Sequence, residues 1–122
     1  MYIYKYIELL GMKFSKDLIA ASSSPIILSI LEEGDCYGYQ IIKKVKEISH
    51  GNLEWADGML YPVLHKLEEK GMISSYWKVS DEGRKRKYYT LLDQGKITLT
   101  TEQENWSMIN LLLTNLWKPN QI

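Results

Sequence analysis

Four consecutive cations, Arg84, Lys85, Arg86 and Lys87, form the densest cluster of charge in the sequence. They follow the turn-forming sequence Asp-Glu-Gly at residues 81–83, so they open the second strand of a predicted β-hairpin. Side chains alternate between the two faces of a strand, which places Arg84 with Arg86 and Lys85 with Lys87. One pair can then bind phosphates or the minor groove of a nucleic acid while the other packs along the hairpin. The alternative is a solvated hairpin tip.

The helix predicted before this hairpin is the candidate for reading bases. Apolar residues recur at three- and four-residue steps and predict its buried face: Leu60, Val63, Leu64, Leu67 and Met72. Asp57 is the predicted N-cap, and Gly71 supplies the left-handed residue that ends the helix.

The candidates for contact with DNA on this helix are Met59, Tyr61, Pro62, His65 and Lys66. Lys66 can donate to O6 and N7 of guanine, and Met59 can contact a thymine methyl group. Partial burial against the preceding helix is the alternative for Tyr61 and His65.

The preceding helix, predicted over residues 38–48, offers two further candidates for phosphate binding, Tyr39 and Lys43. Its inward side is predicted to consist of Ile41, Ile42, Val45 and Ile48. The alternative for Tyr39 is packing against the next helix.

The remaining elements must position these side chains. A first helix is predicted over residues 15–33, interrupted at residues 22–25 because Pro25 fits best in the first turn of a new helical segment. Pro62 similarly predicts that the third helix starts late or bends. Strands are predicted over residues 73–80 and 84–91, with residues 53–55 as a small first strand. The pattern is typical of an α+β, mostly α, winged helix-turn-helix.

The last predicted helix, over residues 94–117, carries an apolar seam at coiled-coil spacing: Leu99, Trp106, Ile109, Leu113 and Leu116. Much of its remaining circumference is apolar as well. A helix of this kind must be buried, and a small winged domain cannot cover it alone. The sequence therefore predicts a homodimer in which a second chain covers this long C-terminal dimerisation helix.

Two stretches of the chain resemble the signature of the PadR family of bacterial transcriptional regulators. They are GxLYPxLxxLExxG at residues 58–71 and GRxRKYY at residues 83–89, and the sequence YGY at residues 37–39 also fits. His65-Lys66 stands where an arginine is common, and Leu91-Leu92 where Leu-Thr is usual. The resemblance implies that the third helix enters the major groove, that Tyr61 binds a phosphate, that the hairpin is a wing on the flanking backbone, and that the last helix dimerises.

Trp106 has two interpretations. A tryptophan on a dimer seam is most often a core residue. The stretch EQENWSMINLLL, at residues 102–113, also resembles a small PadR subfamily that includes a multidrug-sensing repressor. That resemblance implies that Trp106 and its two-fold mate sandwich a flat aromatic or hydrophobic effector, with Phe14 and Leu18 beside it.

The net charge of the whole chain is zero, but the basic residues are concentrated in one segment. The 15 basic and 15 acidic residues cancel, which argues against indiscriminate binding to nucleic acid. Residues 35–90 hold ten cations and eight anions, and four of those cations lie together on the predicted wing. A two-fold dimer doubles that local field.

The 122 residues predict one domain with three parts: an N-terminal extension from an upstream start at residues 1–11, a winged-helix DNA-binding part at 12–92, and a dimerisation helix with its tail at 93–122. No signal sequence or membrane-length apolar run is present.

The single Cys36 cannot form an internal disulfide and fits a reducing cytoplasm. A buried small residue is its expected role, and a redox sensor is the alternative.

Enzymatic function is not expected, because the sequence contains no Gly-rich phosphate loop, metal-ligand cluster or nucleophile motif. No cofactor or metal is expected either. The favoured hypothesis is a homodimeric repressor that binds a double-stranded DNA operator and is released by a small-molecule effector. The alternative is a winged-helix dimer that serves protein assembly without binding DNA specifically.

Overall fold

A computed structural model describes residues 14–118. Its elements, in chain order, are α1 (Lys16–Glu33), β1 (Cys36–Tyr37), α2 (Gly38–Ile48), α3 (Asp57–Glu69), β2 (Ile73–Val79), β3 (Lys85–Leu91) and α4 (Asp93–Leu116). Helices with one small antiparallel sheet and a long C-terminal helix confirm the predicted α+β winged class. The extension predicted at residues 1–11 lies outside the described residues.

The sheet has the strand order β1-β3-β2, and both pairings are antiparallel. The predicted hairpin is present, because Ile73 pairs with Leu91 at one end and Val79 with Lys85 at the other. Gly83, with φ of 81°, closes the turn in the left-handed conformation. We call the β2–β3 hairpin the wing.

The first strand is not where the sequence analysis placed it. Residues 53–55 form no strand, and the indole of Trp55 lies in the core instead. The first strand is Cys36–Tyr37, in which Cys36 pairs with Tyr89 and Tyr37 with Tyr88. A two-residue strand is defined by its distant partner, so no local alternation of apolar and polar residues marks it.

Helix α1 runs without a break through Pro25, contrary to the predicted interruption. Proline removes one backbone donor, and the surrounding helix retains its other bonds and buries Ile27 and Leu28 completely. Ser15 caps the helix by accepting a 3.1 Å hydrogen bond from the Leu18 amide. The Ser22 hydroxyl donates to the Leu18 carbonyl at 2.7 Å, so this serine also fits the helix interior.

Helix α3 contains Pro62 in its interior and has Ala56, not the predicted Asp57, as its N-cap. Asp57 is the first helical residue, where its charge still suits the helix dipole. Gly71, with φ of 73°, ends the helix as predicted. Leu60, Leu64 and Leu67 form its buried face.

The core lies between α1, α2, α3, the sheet and the start of α4. Two apolar predictions are wrong. Ile48, placed inward, is 68% exposed because it is the last residue of α2 and borders an open groove. Leu99, placed on the dimer seam, is only 1% exposed and belongs to the core of the single chain. Gly95 lies one turn before Leu99 and lets α4 pack closely against the backbone at Met72. A Cβ added at Gly95 would collide with the Met72 carbonyl oxygen.

Beyond Leu99, helix α4 exposes a succession of apolar side chains: Trp106, Met108, Ile109, Leu111, Leu112 and Leu116. Leu113 is half-buried. Within residues 14–118, no helix combines the length and apolar composition needed to cross a membrane.

Candidate nucleic-acid interface

A cleft of about 730 Å³ opens where the N-terminus of α2, the exposed side of α3 and the wing meet. We call it the basic cleft; its lining residues are Tyr37, Gly38, Tyr39, Tyr61, Trp77, Arg84, Lys85, Arg86 and Lys87. No described residue of this lining is acidic. The cleft therefore offers phenol hydroxyls and cations, a set of hydrogen-bond donors that suits a polyanion.

Tyr61 reaches the cleft because α2 begins with a glycine. A Cβ on Gly38 would lie 2.9 Å from Cζ of Tyr61, closer than side chains pack. The ring of Tyr61 thus rests on the bare backbone at the N-terminus of α2, while the residue remains exposed on its other side. This arrangement brings Tyr61 and Tyr39, both predicted site residues, to the same cleft.

Within β3, Lys85 and Lys87 share one face and Arg86 lies on the other, as predicted, but exposure divides the four wing cations differently. Arg84 precedes β3 and is exposed, as is Lys85. Arg86 is half-buried: its guanidinium lies 4.3 Å from the centroid of the Tyr37 ring and donates to the Tyr37 hydroxyl. Lys87 is half-buried with its Nζ 5.8 Å from the Tyr89 ring. Within residues 14–118, none of the four forms an ion pair.

A row of tyrosines fixes Arg86 and the wing to the start of α2. Tyr88 contacts Tyr37 edge-to-face at 5.4 Å and stacks on Tyr76 at 5.8 Å. The Tyr76 hydroxyl donates to the Asp35 carboxylate at 2.6 Å, and this hydrogen bond raises the pKa of Tyr76. The hydroxyl therefore stays protonated and donating, and the wing is held to the α1–α2 connection.

The other predicted α3 residues lie outside the basic cleft on the adjoining helix surface. Pro62, His65 and Lys66 are exposed, and Met59 is half-buried against the core. Lys43, on α2, is exposed in a neighbouring cleft that also contains Tyr39. Its neighbours Lys44 and Lys46 are engaged with Glu33 and Glu54. The predicted residues thus lie in three places: the basic cleft, the neighbouring cleft that contains Lys43, and the open face of α3.

Sequence reasoning missed Trp77, which lines the cleft from the wing. The sequence did contain a signal for Trp77. This tryptophan lies among polar and basic residues in the first predicted strand of the hairpin, and the second strand carries the four cations. Gly38 and Tyr37 were noted in the family pattern but not as site residues. Their part in placing Tyr61 and Arg86 depends on contacts across more than 20 residues of sequence.

The residues predicted to bind an effector do not meet in one pocket of the single chain. Trp106 lines an apolar groove of about 530 Å³ between α1, α2 and α4, and its indole Nε1 donates to Glu102 at 3.0 Å. Phe14 lines a separate cleft of about 390 Å³ beside Trp55. Leu18 is exposed on α1.

Cys36 is buried in β1, as expected for a small core residue. Burial raises the pKa of its thiol above the usual value, so the neutral form dominates near neutral pH. Among residues 14–118, no group of His, Cys, Asp and Glu side chains is arranged to hold a metal ion.

Comparisons with known proteins agree on one family. The profile of the Transcriptional regulator PadR-like family matches residues 27–101, more than half of the chain. An uncharacterised protein of Lysinibacillus sphaericus is 30% identical over 97 residues, which cover 80% of this chain and 89% of that protein. The transcriptional regulator YqjI of Escherichia coli is 32% identical over 84 residues, which cover 69% of this chain and 39% of that protein.

Solved structures agree in fold. A transcriptional regulator from Clostridium thermocellum superposes with a TM-score of 0.76 at 30% identity, covering 84% of this chain and all of that one. A PadR-like transcriptional regulator from Bacillus cereus gives a TM-score of 0.77 at 28% identity, covering 86% of this chain and all of that one. The family consists of regulators rather than enzymes, which confirms the expectation of no catalysis. The chain belongs to the PadR-like family of transcriptional regulators.

Proposed function

We propose that the protein is a homodimeric, sequence-specific repressor that binds a double-stranded DNA operator in the cytoplasm and leaves it when a small molecule binds. One observation carries the DNA-binding part of this proposal: the basic cleft adjoins the open face of α3, and none of the described residues that line it is acidic. Groups that bind phosphate thus lie next to groups that can reach bases, as sequence-specific recognition requires.

In this proposal α3 enters the major groove. Lys66, His65 and Met59 face the base edges, and Pro62 contacts the groove wall. The phosphate backbone beside the groove binds to Tyr39, Lys43, Tyr61 and the wing cations Arg84–Lys87. Arg84 and Lys85 contribute most of the wing's charge to DNA because they are exposed, whereas Arg86 and Lys87 pack on aromatic rings.

The dimer is formed by the C-terminal half of α4, where apolar side chains are exposed on a helix that is otherwise well formed. Trp106, Ile109, Leu113 and Leu116 form the interface, and Leu99 supports it from the core. Residues 93–122 then act as the dimerisation part and residues 12–92 as the DNA-binding part. A two-fold dimer of this kind reads half-sites about 10 base pairs apart or a multiple of that distance.

Release by an effector is assigned to the apolar groove beside Trp106. A flat aromatic compound there changes the separation of the two α3 helices only if it binds one dimer arrangement better than the other. Titration with a planar cationic dye tests this assignment. We expect tryptophan quenching in the wild type and much weaker quenching in Trp106→Phe; equal quenching in both would move the site away from Trp106.

A mobility-shift assay tests the proposal as a whole. The probe is DNA from immediately upstream of the protein's own coding sequence, since such regulators often control themselves. We expect a discrete complex that resists unrelated competitor DNA and binds at least about a thousandfold more tightly than scrambled DNA. If that probe fails, selection of bound fragments from the whole genome extends the search. Only weak, salt-sensitive smearing there would favour the protein-assembly alternative.

The wing is tested with the double variant Arg84→Gln/Lys85→Gln. Loss of two phosphate contacts per protomer, four per dimer, should reduce the magnitude of the slope of log affinity against log salt concentration by about four and weaken binding to all sequences. The matched control is Lys46→Gln/Lys96→Gln, which removes the same charge from residues engaged in ion pairs elsewhere. Equal losses in the two double variants would exclude a specific contribution from the wing.

A further inference from the structure

Trp77 lies open on the wing. The residue is 60% exposed, and Val79, two positions along the same face of β2, is 62% exposed. A tryptophan side chain has the largest apolar area available for burial, so leaving it in water forgoes considerable stability. Within residues 14–118, no element covers this face, and its exposure calls for a partner outside the chain.

Cations of the neighbouring strand β3 lie along one side of the exposed ring. The register of the wing places Lys87 opposite Trp77 and Lys85 opposite Val79. Lys85 also brings its Nζ to 5.2 Å from the centroid of the Trp77 ring. An apolar strip on the edge strand β2 therefore runs beside positive charges of β3 that have no ion-pair partner in the described chain.

An apolar strip beside a row of cations suits the backbone of a DNA strand, which presents deoxyribose rings next to charged phosphates. An apolar protein surface would instead have to accept several unpaired cations together with the ring, which is costly. The position of Trp77 in the lining of the basic cleft, across from Tyr61 and Tyr39, agrees with a nucleic-acid partner.

We propose that Trp77 packs against a deoxyribose of the DNA strand whose phosphates bind Arg84 and Lys85. This inference rests on the proposed function and adds to it a contact that is apolar and independent of base sequence. Burial of the ring strengthens binding without releasing counterions, so it contributes affinity that salt does not remove.

The test uses a mixed-sequence duplex of about 30 base pairs, about three helical turns, because a sugar contact needs no particular operator. Affinity is measured at several salt concentrations for the wild type, Trp77→Ala, Trp77→Phe and Arg84→Gln. We expect Trp77→Ala to bind about tenfold more weakly with an unchanged salt slope, and Trp77→Phe to retain most of the affinity. Arg84→Gln should reduce the magnitude of the salt slope by about two, one for each protomer of the dimer.

Fluorescence gives a direct readout. The chain has four tryptophans, and we expect the duplex to quench the wild type but not Trp77→Phe. Ile97→Ala is the matched control, because Ile97 is 62% exposed on α4 and lies outside the cleft. Circular dichroism establishes that each variant is folded.

The outcomes separate this inference from the proposed function. Wild-type protein that does not bind the mixed-sequence duplex would remove the base-independent contact of Trp77, and the proposed function would be removed only if the mobility-shift and genome-wide selection experiments also failed. Wild-type protein that binds while Trp77→Ala binds equally well would remove only the contact assigned to Trp77. A Trp77→Ala variant that loses salt slope, or whose dimer dissociates, would also overturn the inference, because the ring would then act through Lys85 or through a second copy.

Discussion

The basic cleft and the C-terminal half of α4 are both exposed, yet they expose opposite chemistry. In the cleft, hydroxyls and cations are held in place by neighbouring aromatic rings, such as Tyr37 beneath Arg86. On α4, aliphatic side chains project from a single helix, among them Ile109 and Leu112. Binding of a charged ligand requires hydrogen-bond donors at fixed positions. Association with another apolar surface depends mainly on the apolar area that is buried. The difference indicates two surfaces for two kinds of partner.

The largest expected effect comes from placing charge on the α4 surface. The double variant Ile109→Asp/Leu116→Asp should raise the dimer dissociation constant at least about a thousandfold, because four aliphatic side chains per dimer lose their burial. Sedimentation equilibrium measures the constant. Thr100→Asp, on the opposite side of α4 from this seam, is the control. A double variant that remains as dimeric as the control would remove α4 from the interface.

The substitution Gly38→Ala should disturb the basic cleft without altering α4. The new methyl group would displace the ring of Tyr61, and we expect the free energy of unfolding to fall by about 1–3 kcal/mol. DNA affinity should fall and dimerisation should stay unchanged. In a Tyr61→Ala background the same substitution should cost much less, because the colliding ring is absent. An equal cost in both backgrounds, measured by denaturant unfolding, would contradict this packing.

Two arginines of the wing, Arg84 and Arg86, differ in their contacts and should differ in their effect on stability. Arg86→Gln should lower the free energy of unfolding by about 1 kcal/mol, because its contacts with the ring and hydroxyl of Tyr37 are lost. Arg84→Gln should change it by less than about 0.5 kcal/mol, since Arg84 is exposed. The two variants remove the same charge, so a similar cost for both would show that Arg86 has no structural role.

The smallest effect concerns Cys36, which lies behind the cleft. A raised pKa in the folded state means that the native protein retains a proton which the unfolded chain loses near its ordinary pKa of 9.0. This contribution to stability is therefore complete below about pH 9 and lost as the pH rises further. Cys36→Ser should flatten the decline in stability on that alkaline side. Rapid modification of the native thiol at neutral pH would instead support a redox sensor.

Much of the fold was predictable because its signals are local. The period of Leu60, Leu64 and Leu67 defines the buried face of α3, and Gly83 defines the turn of the wing. The errors arise where distant contacts decide. Cys36–Tyr37 is a strand only because β3 lies beside it, and Leu99 is buried only because α4 packs on α1 at that point.

The candidate site was predicted by residue type more than by arrangement. The cation run identifies the wing, but nothing in it distinguishes Arg86, held by Tyr37, from the exposed Arg84. Similarly, the sequence contains Gly38 and Tyr61 without indicating that one makes room for the other. These relations join residues 23 and 49 positions apart, a range over which periodicity carries no information.

The pairing of β1 with β3 also bears on how the chain folds during its synthesis. Residues 36–37 leave the ribosome about 50 residues before their partners at 88–89. Helices α1 to α3 can associate in that interval, but the sheet must wait for the closing of a long loop, which slows its formation. The surface proposed to bind DNA is therefore completed late, shortly before α4 emerges and the chain becomes able to find a second copy.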